Sequence, residues 1–199
     1  MTDPSQYQYP SPLEGYEHLP PLPDDKTGDG KSYVNPQTGV LSKAYERFVD
    51  PIDNGTRGGF DIHIYFYQEN KIQSKFARDL WTRIRHEFPE LRIYRVWDKP
   101  IGPHPIAMFE VNVFRPAQFG AFIAWLVINR GPLSALVHPN TGDDERDHTQ
   151  RATWMGDRIP LDLSLFKQMR GGARKAGERA ERAGQGVRLR TLPGGKFWA

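Results

Sequence analysis

The chain has 199 residues, of which 38% are hydrophobic and none is cysteine, and its formal net charge is +3. This length suits one domain with tails, and the longest strongly apolar stretch, Phe119 to Ile128, is about half as long as a bilayer crossing requires. The lack of cysteine excludes disulfides, iron–sulfur clusters and thiolate metal sites, so a bound metal would need His, Asp or Glu ligands.

The positive charge is concentrated at the C-terminus. Residues 170–199 contain eight Lys and Arg but two Glu, and subtracting this net +6 from the total leaves −3 for residues 1–169. A mildly acidic globular part argues against a nucleic-acid-binding surface. The first residues lack the basic start and apolar run of a signal peptide, so we expect a cytoplasmic protein.

Composition and periodicity predict three segments. Residues 1–57 are rich in Pro and Gly and sustain no period, which indicates an irregular N-terminal arm. Residues 58–168 show strand and helix patterns and form the predicted folded domain. Residues 169–199 are basic and rich in glycine, which is typical of a flexible tail.

The predicted domain begins with the strand FDIHIYF, residues 60–66, after a Gly-Gly pair. Its alternation places apolar side chains on one face and polar side chains on the other: Ile62, Ile64 and Phe66 against Asp61, His63 and Tyr65. A helix with a buried stripe from Phe76 to Phe88 follows and is closed by Pro89. The segment LRIYRVW then predicts a second strand.

The second half repeats this pattern. The segment IAMFEVNVF predicts a third strand, with an apolar and a polar face: Phe109, Val111 and Val113 against Met108, Glu110 and Asn112. A helix with an apolar face from Phe119 to Val127 is predicted to start near Pro116 and to stop at Asn129-Arg130-Gly131. The segment LSALVHP predicts a short fourth strand with His138 on its polar side.

The order βαββαβ predicts an α+β fold, the ferredoxin-like sandwich. Its four-stranded antiparallel sheet would have the order 4-1-3-2, with both helices on the apolar face. The opposite, uncovered face would carry polar side chains from three strands: His63, Tyr65, Glu110, Asn112 and His138.

Two histidines and a carboxylate with open coordination positions suit a non-haem Fe(II) site. His63, His138 and Glu110 match this set, because the fourth strand lies antiparallel to the first and brings His138 close to His63. The alternative interpretation is a set of hydrogen-bonded histidines on a half-buried face.

The loop after the fourth strand is rich in acidic residues and contains His148. Asp143, Asp144 and Asp147 have an ordinary explanation as solvated turn and helix-start residues. His148, on a loop beside the predicted metal, could act as general acid and base or as a further ligand. His104, between two prolines, is either a second such group or a turn histidine.

Several motifs between Phe60 and Phe166 resemble the DOPA 4,5-dioxygenase family: FDIHIYF, PIGPHPIAMFEV, WLVINRGPLSALVHPNTGDDERDHT, ATWMG and LDLSLF. The resemblance implies a ferredoxin-like fold, dimers, and Fe(II)-dependent extradiol cleavage of a catechol by O₂ to a muconic semialdehyde. It implies no organic cofactor. The positions that it marks are His63, His104, Glu110, His138 and His148, and it leaves open which of them bind the metal and which is the base.

With this chemistry, His148 would take a catechol proton, with His104 as the second candidate. Tyr65 and Asn112 could donate hydrogen bonds to bound oxygen species. Arg130, Asp143 and Asp144 are candidates to contact the polar groups of a substrate such as L-DOPA.

Two other functions share this strand order. An RNA-recognition module would need several aromatic and basic side chains on the open face, and Tyr65 is the lone stacking candidate there. A non-catalytic protein with a structural metal or a histidine-rich interface is the other alternative.

Overall fold

The computed structural model describes residues 7–166. The arrangement of these residues follows from the alternation of apolar and polar side chains along the chain. The chain divides into two compact units, Met1–Lys43 and Ala44–Ala199. The described part of the first unit is largely irregular, with an isolated bridge between Lys26 and Tyr33. The predicted tail, residues 169–199, lies outside the described residues, and the predicted domain boundaries stay predictions.

The described part of the second unit is built mainly from the following strands and α-helices. In chain order these are β1 Phe60–Phe66, α1 Lys71–Glu87, β2 Arg92–Ile93, β3 Ala107–Val113, α2 Pro116–Asn129, β4 Ser134–Pro139, α3 Asp144–Asp147 and β5 Thr153–Met155, preceded by a 3₁₀ turn at Lys43–Tyr45. Within residues 7–166, no helix has the length and apolar character needed to cross a membrane.

All the strands form one antiparallel sheet in the order β2-β3-β1-β4-β5. The first four strands therefore have the neighbours that the sequence predicts. The prediction of a four-stranded sheet is wrong, because β5 pairs with β4 through residues 153–155 and adds an edge strand. The segment that supplies α3 and β5 is short and polar, so its periodicity gave no signal.

Helix α1 and strand β2 differ slightly from their predicted bounds. Helix α1 begins at Lys71, ahead of the apolar stripe, because the Asn70 side chain accepts hydrogen bonds from the backbone N–H groups of Ile72 and Gln73. Helix α2 agrees with the predicted start near Pro116, which lies in its first turn, and with the predicted stop at Asn-Arg-Gly. Strand β2 is shorter than predicted, since regular pairing with β3 is confined to Arg92 and Ile93.

Both helices pack on the apolar face of the sheet, as predicted. The core contains side chains from α1, α2 and three strands, and its most buried members include Ile62, Ile64, Ile84, Phe109, Val111, Phe122 and Leu126. The preceding segment is anchored to this core by Phe48, whose ring contacts those of Phe60 and Phe119 edge-on.

The opposite face is not uncovered, and this corrects the sequence-based expectation. A second apolar cluster lies on it and combines side chains of the sheet with those of the segments before β3 and after β5: Tyr65, Met108, Leu136 and Ile159, with Trp97, Ile101, Ile106, Trp154 and Leu161 at its border. These two covering segments are joined by a hydrogen bond of 2.9 Å from the Asp162 amide to the Pro103 carbonyl.

The packing of α2 can be tested with two residues on the same helix. Leu126 is fully buried, whereas Ile128 is 80% exposed. We expect Leu126→Ala to lower the free energy of unfolding by about 2–5 kcal/mol, since it leaves a cavity against the sheet. Ile128→Ala should change it by less than about 0.5 kcal/mol. Urea denaturation of both variants measures these values, and equal losses would contradict the packing described.

Candidate metal centre

Four histidines from four separate segments meet on the polar face of the sheet. His63 lies on β1, His104 precedes β3, His138 lies on β4, and His148 follows α3. The ring centre of His63 is 4.3 Å from that of His104, 5.1 Å from that of His138 and 5.9 Å from that of His148. All four side chains are buried.

The sheet register explains why His63 and His138 meet. In the antiparallel pairing of β1 with β4, Asp61 lies opposite His138, so His63 is its diagonal neighbour on the same face. The Nε2 atoms of the two rings are 3.0 Å apart. Two imidazole nitrogens at this separation can share one metal ion, whose bonds to histidine nitrogen are about 2.0–2.1 Å long in a zinc site.

In His104, His138 and His148, the Nδ1 atom is hydrogen-bonded to another group of the protein. Nδ1 of His138 donates to the Pro139 carbonyl at 2.9 Å, and Nδ1 of His148 donates to the Asp144 carbonyl at 2.8 Å. Because a carbonyl only accepts, these bonds place the ring proton on Nδ1 and the lone pair on Nε2. Nδ1 of His104 lies 2.6 Å from the Tyr65 hydroxyl. Metal-binding histidines are oriented in this way in known sites.

Two carboxylates lie beside these rings and are held by one amide. The Asn112 Nδ2 group donates to Asp61 Oδ1 and, at 2.6 Å, to Glu110 Oε1. Its Oδ1 accepts from Arg92 Nε at 2.6 Å. Asn140 adds a donor to Asp61 Oδ1 at 2.9 Å. The buried Asn112 amide therefore positions the two acids, whereas its predicted contact with a substrate stays a prediction.

Two groups of side chains bring their ligand atoms within 4.8 Å of one another: His63, His104 and His148, and Asp61, His63 and His138. Both groups include His63, so the buried cluster can hold a metal ion around this ring. Glu110 belongs to neither group, although its Oε2 atom lies 4.0 Å from His63 Nδ1. Asp61 is absent from the ligand set that the residue pattern predicts. The sequence did contain a signal for this ligand. Asp61 shares a strand face with His63 and lies opposite the predicted position of His138.

Burial keeps two histidines and the tyrosine of the site neutral. It lowers the pKa of His148 to about 3, and the proximity of His138 adds to this effect. The pKa of His104 is likewise held well below its usual value by burial and by His148 and His138. Burial and the nearby Glu110 raise the pKa of Tyr65 well above its usual range. At neutral pH both imidazoles are therefore proton acceptors, and the phenol keeps its proton.

Three further predicted site residues make local contacts. Arg130 donates through Nη1 to the Leu133 carbonyl at 2.6 Å, in the turn between α2 and β4. Asp143 caps α3 by accepting from the Arg146 amide, and Asp144 pairs with Arg57 while its carbonyl holds His148. Asp144 thus positions a histidine of the cluster. The predicted substrate contacts of all three stay predictions.

The sequence profile of the Dopa 4,5-dioxygenase family matches residues 60–165, the stretch that supplies all four histidines and both carboxylates. The chain belongs to the Dopa 4,5-dioxygenase family. It is 40% identical over 109 residues to a DOPA 4,5-dioxygenase from Amanita muscaria, a match that covers 52% of this chain and 47% of that one. The chain thus matches about half the length of this relative. This membership supports a dioxygenase that acts with O₂ on a small molecule.

Two other proteins are similar to this family member. An uncharacterised 21.2 kDa protein from Botryotinia fuckeliana is 67% identical over 177 residues, covering 85% of this chain and 97% of that one. The crystal structure of a candidate dioxygenase from Nostoc punctiforme is 35% identical, with a TM-score of 0.49, and the similarity covers 60% of this chain and 95% of that one.

The buried neutral histidines predict a pH dependence of stability in the metal-free protein. The unfolded chain binds a proton at His148 near pH 6.5, whereas the folded chain binds it only near pH 3. Below pH 6.5 the unfolded state therefore holds more protons, and the free energy of unfolding falls as the pH falls. Between pH 7.5 and 5.5 this histidine should account for a loss of about 1.4 kcal/mol.

His148→Asn removes the titrating ring and keeps an amide N–H for the Asp144 carbonyl. Urea denaturation at the two pH values should show a smaller loss in this variant than in the wild-type protein. Equal losses in both proteins would show that His148 is not held neutral in the folded state.

Proposed function

We propose that the protein is a non-haem Fe(II)-dependent extradiol dioxygenase that cleaves a catechol ring with O₂ to give a muconic semialdehyde. The observation that carries this proposal is the buried cluster of four imidazoles and two carboxylates in a chain of a dioxygenase family. The relative from Amanita muscaria, a DOPA 4,5-dioxygenase, supports a catechol as substrate. The proposal includes a ferredoxin-like topology for the first four strands, and a homodimer.

The proposed ligands are His63, His138 and one carboxylate. Two imidazoles and a carboxylate that leave positions open are the donor set of non-haem Fe(II) oxygenases. Glu110 is the carboxylate predicted from the sequence, but Asp61 is favoured by its grouping with both imidazoles within 4.8 Å. Bound there, Fe(II) would supply the Lewis acidity and redox chemistry that O₂-dependent ring cleavage needs.

His148 is proposed to take a proton from the catechol. Its ring centre is 3.9 Å from that of His138, and its Nδ1 donates to the Asp144 carbonyl, which leaves Nε2 with a lone pair. The lowered pKa keeps this nitrogen unprotonated at neutral pH, as a general base requires. Its bond to the Asp144 carbonyl fixes the plane of the ring and would stabilise the imidazolium that forms.

Tyr65 and His104 form the second proton-handling pair. The Tyr65 hydroxyl keeps its proton because its pKa is raised, and it lies 2.6 Å from His104 Nδ1. This contact orients His104 so that its other ring nitrogen is left for a ligand or a proton. Apolar side chains exclude water from these groups. Tyr65 belongs to the second apolar cluster, and the ring centre of Phe166 lies 5.0 Å from that of His148.

The ligand assignment predicts which variants lose iron. We expect His63→Ala and His138→Ala, reconstituted anaerobically with Fe(II) and desalted, to retain less than about a tenth of the wild-type iron, because each loses a proposed ligand. His86→Ala, on the exposed side of α1, is the control and should retain it fully. Metal analysis of Asp61→Asn and Glu110→Gln identifies the carboxylate, which is Asp61 if only the first loses iron.

His148→Asn should separate binding from chemistry. The variant is expected to keep its iron and to consume O₂ with L-DOPA about 10²–10⁴ times more slowly than the wild-type protein, since it lacks the proton acceptor. Oxygen-electrode rates and iron content measured on the same sample test this. Loss of iron would instead make His148 a ligand. If iron-loaded wild-type protein consumes no O₂ with any of a panel of catechols, the proposed function is wrong.

A further inference from the structure

The N-terminal arm contains a short proline run, LPPLP at residues 19–23, that has no part in the proposed chemistry. Proline fixes its own φ angle at about −65° and moves the residue before it away from helical angles. Three positions of the proline run are proline, and each leucine directly precedes one. Every residue of the run is therefore restricted to the extended or polyproline II region.

The structure keeps the proline run extended and exposed. Residues 20–25 form no helix, turn, bend or bridge, and every side chain from residue 8 to residue 47 is exposed. Leu19 is 52% exposed and Leu22 70%. Within residues 7–166, the backbone N–H of Leu22 has no hydrogen-bond partner. The run thus presents both leucines and its backbone to the surroundings, as a binding partner would require.

Hydrogen-bonded segments on either side hold the ends of the proline run. On the N-terminal side, the Leu19 amide donates to the Tyr16 carbonyl at 3.0 Å, in the last of several turns. On the C-terminal side, the Val34 amide donates to the Asp25 carbonyl at 2.8 Å and closes a loop over residues 26–33. Because the run is already extended and its ends are held, a partner that binds it removes little conformational entropy.

The spacing of the prolines places them on one edge of the run. A polyproline II helix has three residues per turn, so residues at positions i and i+3 lie on the same edge. Pro20 and Pro23 therefore share one edge, about 9 Å apart, and Leu19 and Leu22 share another. Domains that recognise proline-rich segments bind this P-x-x-P spacing in grooves lined by aromatic side chains.

The residues around the proline run are acidic. Residues 7–25 contain no Lys or Arg but have four carboxylates: Glu14, Glu17, Asp24 and Asp25. Like charges that face each other across an interface repel, whereas opposite charges speed association and select the partner. The segment therefore favours a groove whose rim carries Lys or Arg.

We propose that residues 19–25 are a docking motif for a proline-recognition domain that has an aromatic-lined groove with a basic rim. Pro20 and Pro23 enter the groove, and Asp24 and Asp25 meet the basic residues at its rim. The motif lies outside residues 60–165, which match the family profile, and it is independent of the proposed function. Its role is to bring the protein to a partner.

Fluorescence anisotropy tests the docking with a panel of labelled WW, SH3 and EVH1 domains titrated with the full-length protein. We expect domains with a basic groove rim to bind with Kd below about 100 µM, and domains with an acidic rim to bind at least about tenfold more weakly. Pro20→Ala/Pro23→Ala should weaken the binding at least about tenfold, because it removes the rings that fill the groove and the restriction on the backbone. If no domain of the panel binds, the proposal is wrong.

Pro10→Ala/Pro12→Ala is the matched control. It removes two prolines of the same arm, but their spacing of two residues would place them on different edges of a polyproline II helix. We expect its affinity for the same domains to stay within about twofold of the wild-type value. Equal losses in the two double variants would show that the arm as a whole, and not the proline run, makes the contact, and would overturn the proposal.

The charge of the motif is tested with Asp24→Asn/Asp25→Asn. At low salt this variant should bind about two- to fivefold more weakly than the wild-type protein, because it loses exposed ion pairs with the rim. The difference should shrink as salt is added, since salt screens exposed charges. An unchanged affinity at low salt would overturn the assignment of a basic rim.

Sedimentation velocity of the protein alone tests for a different occupant of the motif. The wild-type protein and Pro20→Ala/Pro23→Ala should have the same mass in solution, because the exposed prolines are assigned to a heterologous domain. A lower mass for the variant would show that the proline run binds a second copy of this chain, and would overturn the proposal.

Discussion

The central position of β1, paired antiparallel with both β3 and β4, is the constraint on which the site depends. His63 lies opposite Glu110 on one side, and Asp61 lies opposite Asn112 and His138. Because side chains directly opposite each other share a face, this register alone brings two imidazoles and two carboxylates together. A shift of one residue in the pairing with β4 would turn His138 away from His63, and the same shift in the pairing with β3 would turn Glu110 away from it.

Burying so many polar groups requires that each be oriented by another. Asn112 donates to both carboxylates, and Arg92 holds Asn112 while donating to the carbonyls of Thr56 and Arg57. The network therefore ties the segment before β1 to the centre of the sheet. It fixes the positions of acids that would otherwise repel each other in a medium of low dielectric constant. This rigidity is what a metal site with open positions needs from its surroundings.

The two segments that cover the polar face of the sheet exclude water from it. Side chains from residues 97–106 and 159–161 bury Tyr65 and Leu136 and lower the local dielectric constant around the histidines. The same burial that keeps His104 and His148 neutral also removes water from the groups that would handle protons. An RNA-recognition surface is the opposite arrangement, since it needs an open face with aromatic rings available for stacking.

The order of residues along the chain was sufficient to predict the alternating faces of β1, β3 and β4, the apolar stripes of the two long helices, and the family to which the chain belongs. These features are local, because a period of two or 3.6 residues is written in neighbouring positions. Strand β5, the covering of the polar face, and the grouping of Asp61 with His63 and His138 became visible only in the folded chain. Each depends on contacts between distant segments, such as Trp154 on Tyr65 or Asn112 on Asp61, and no local period records such contacts.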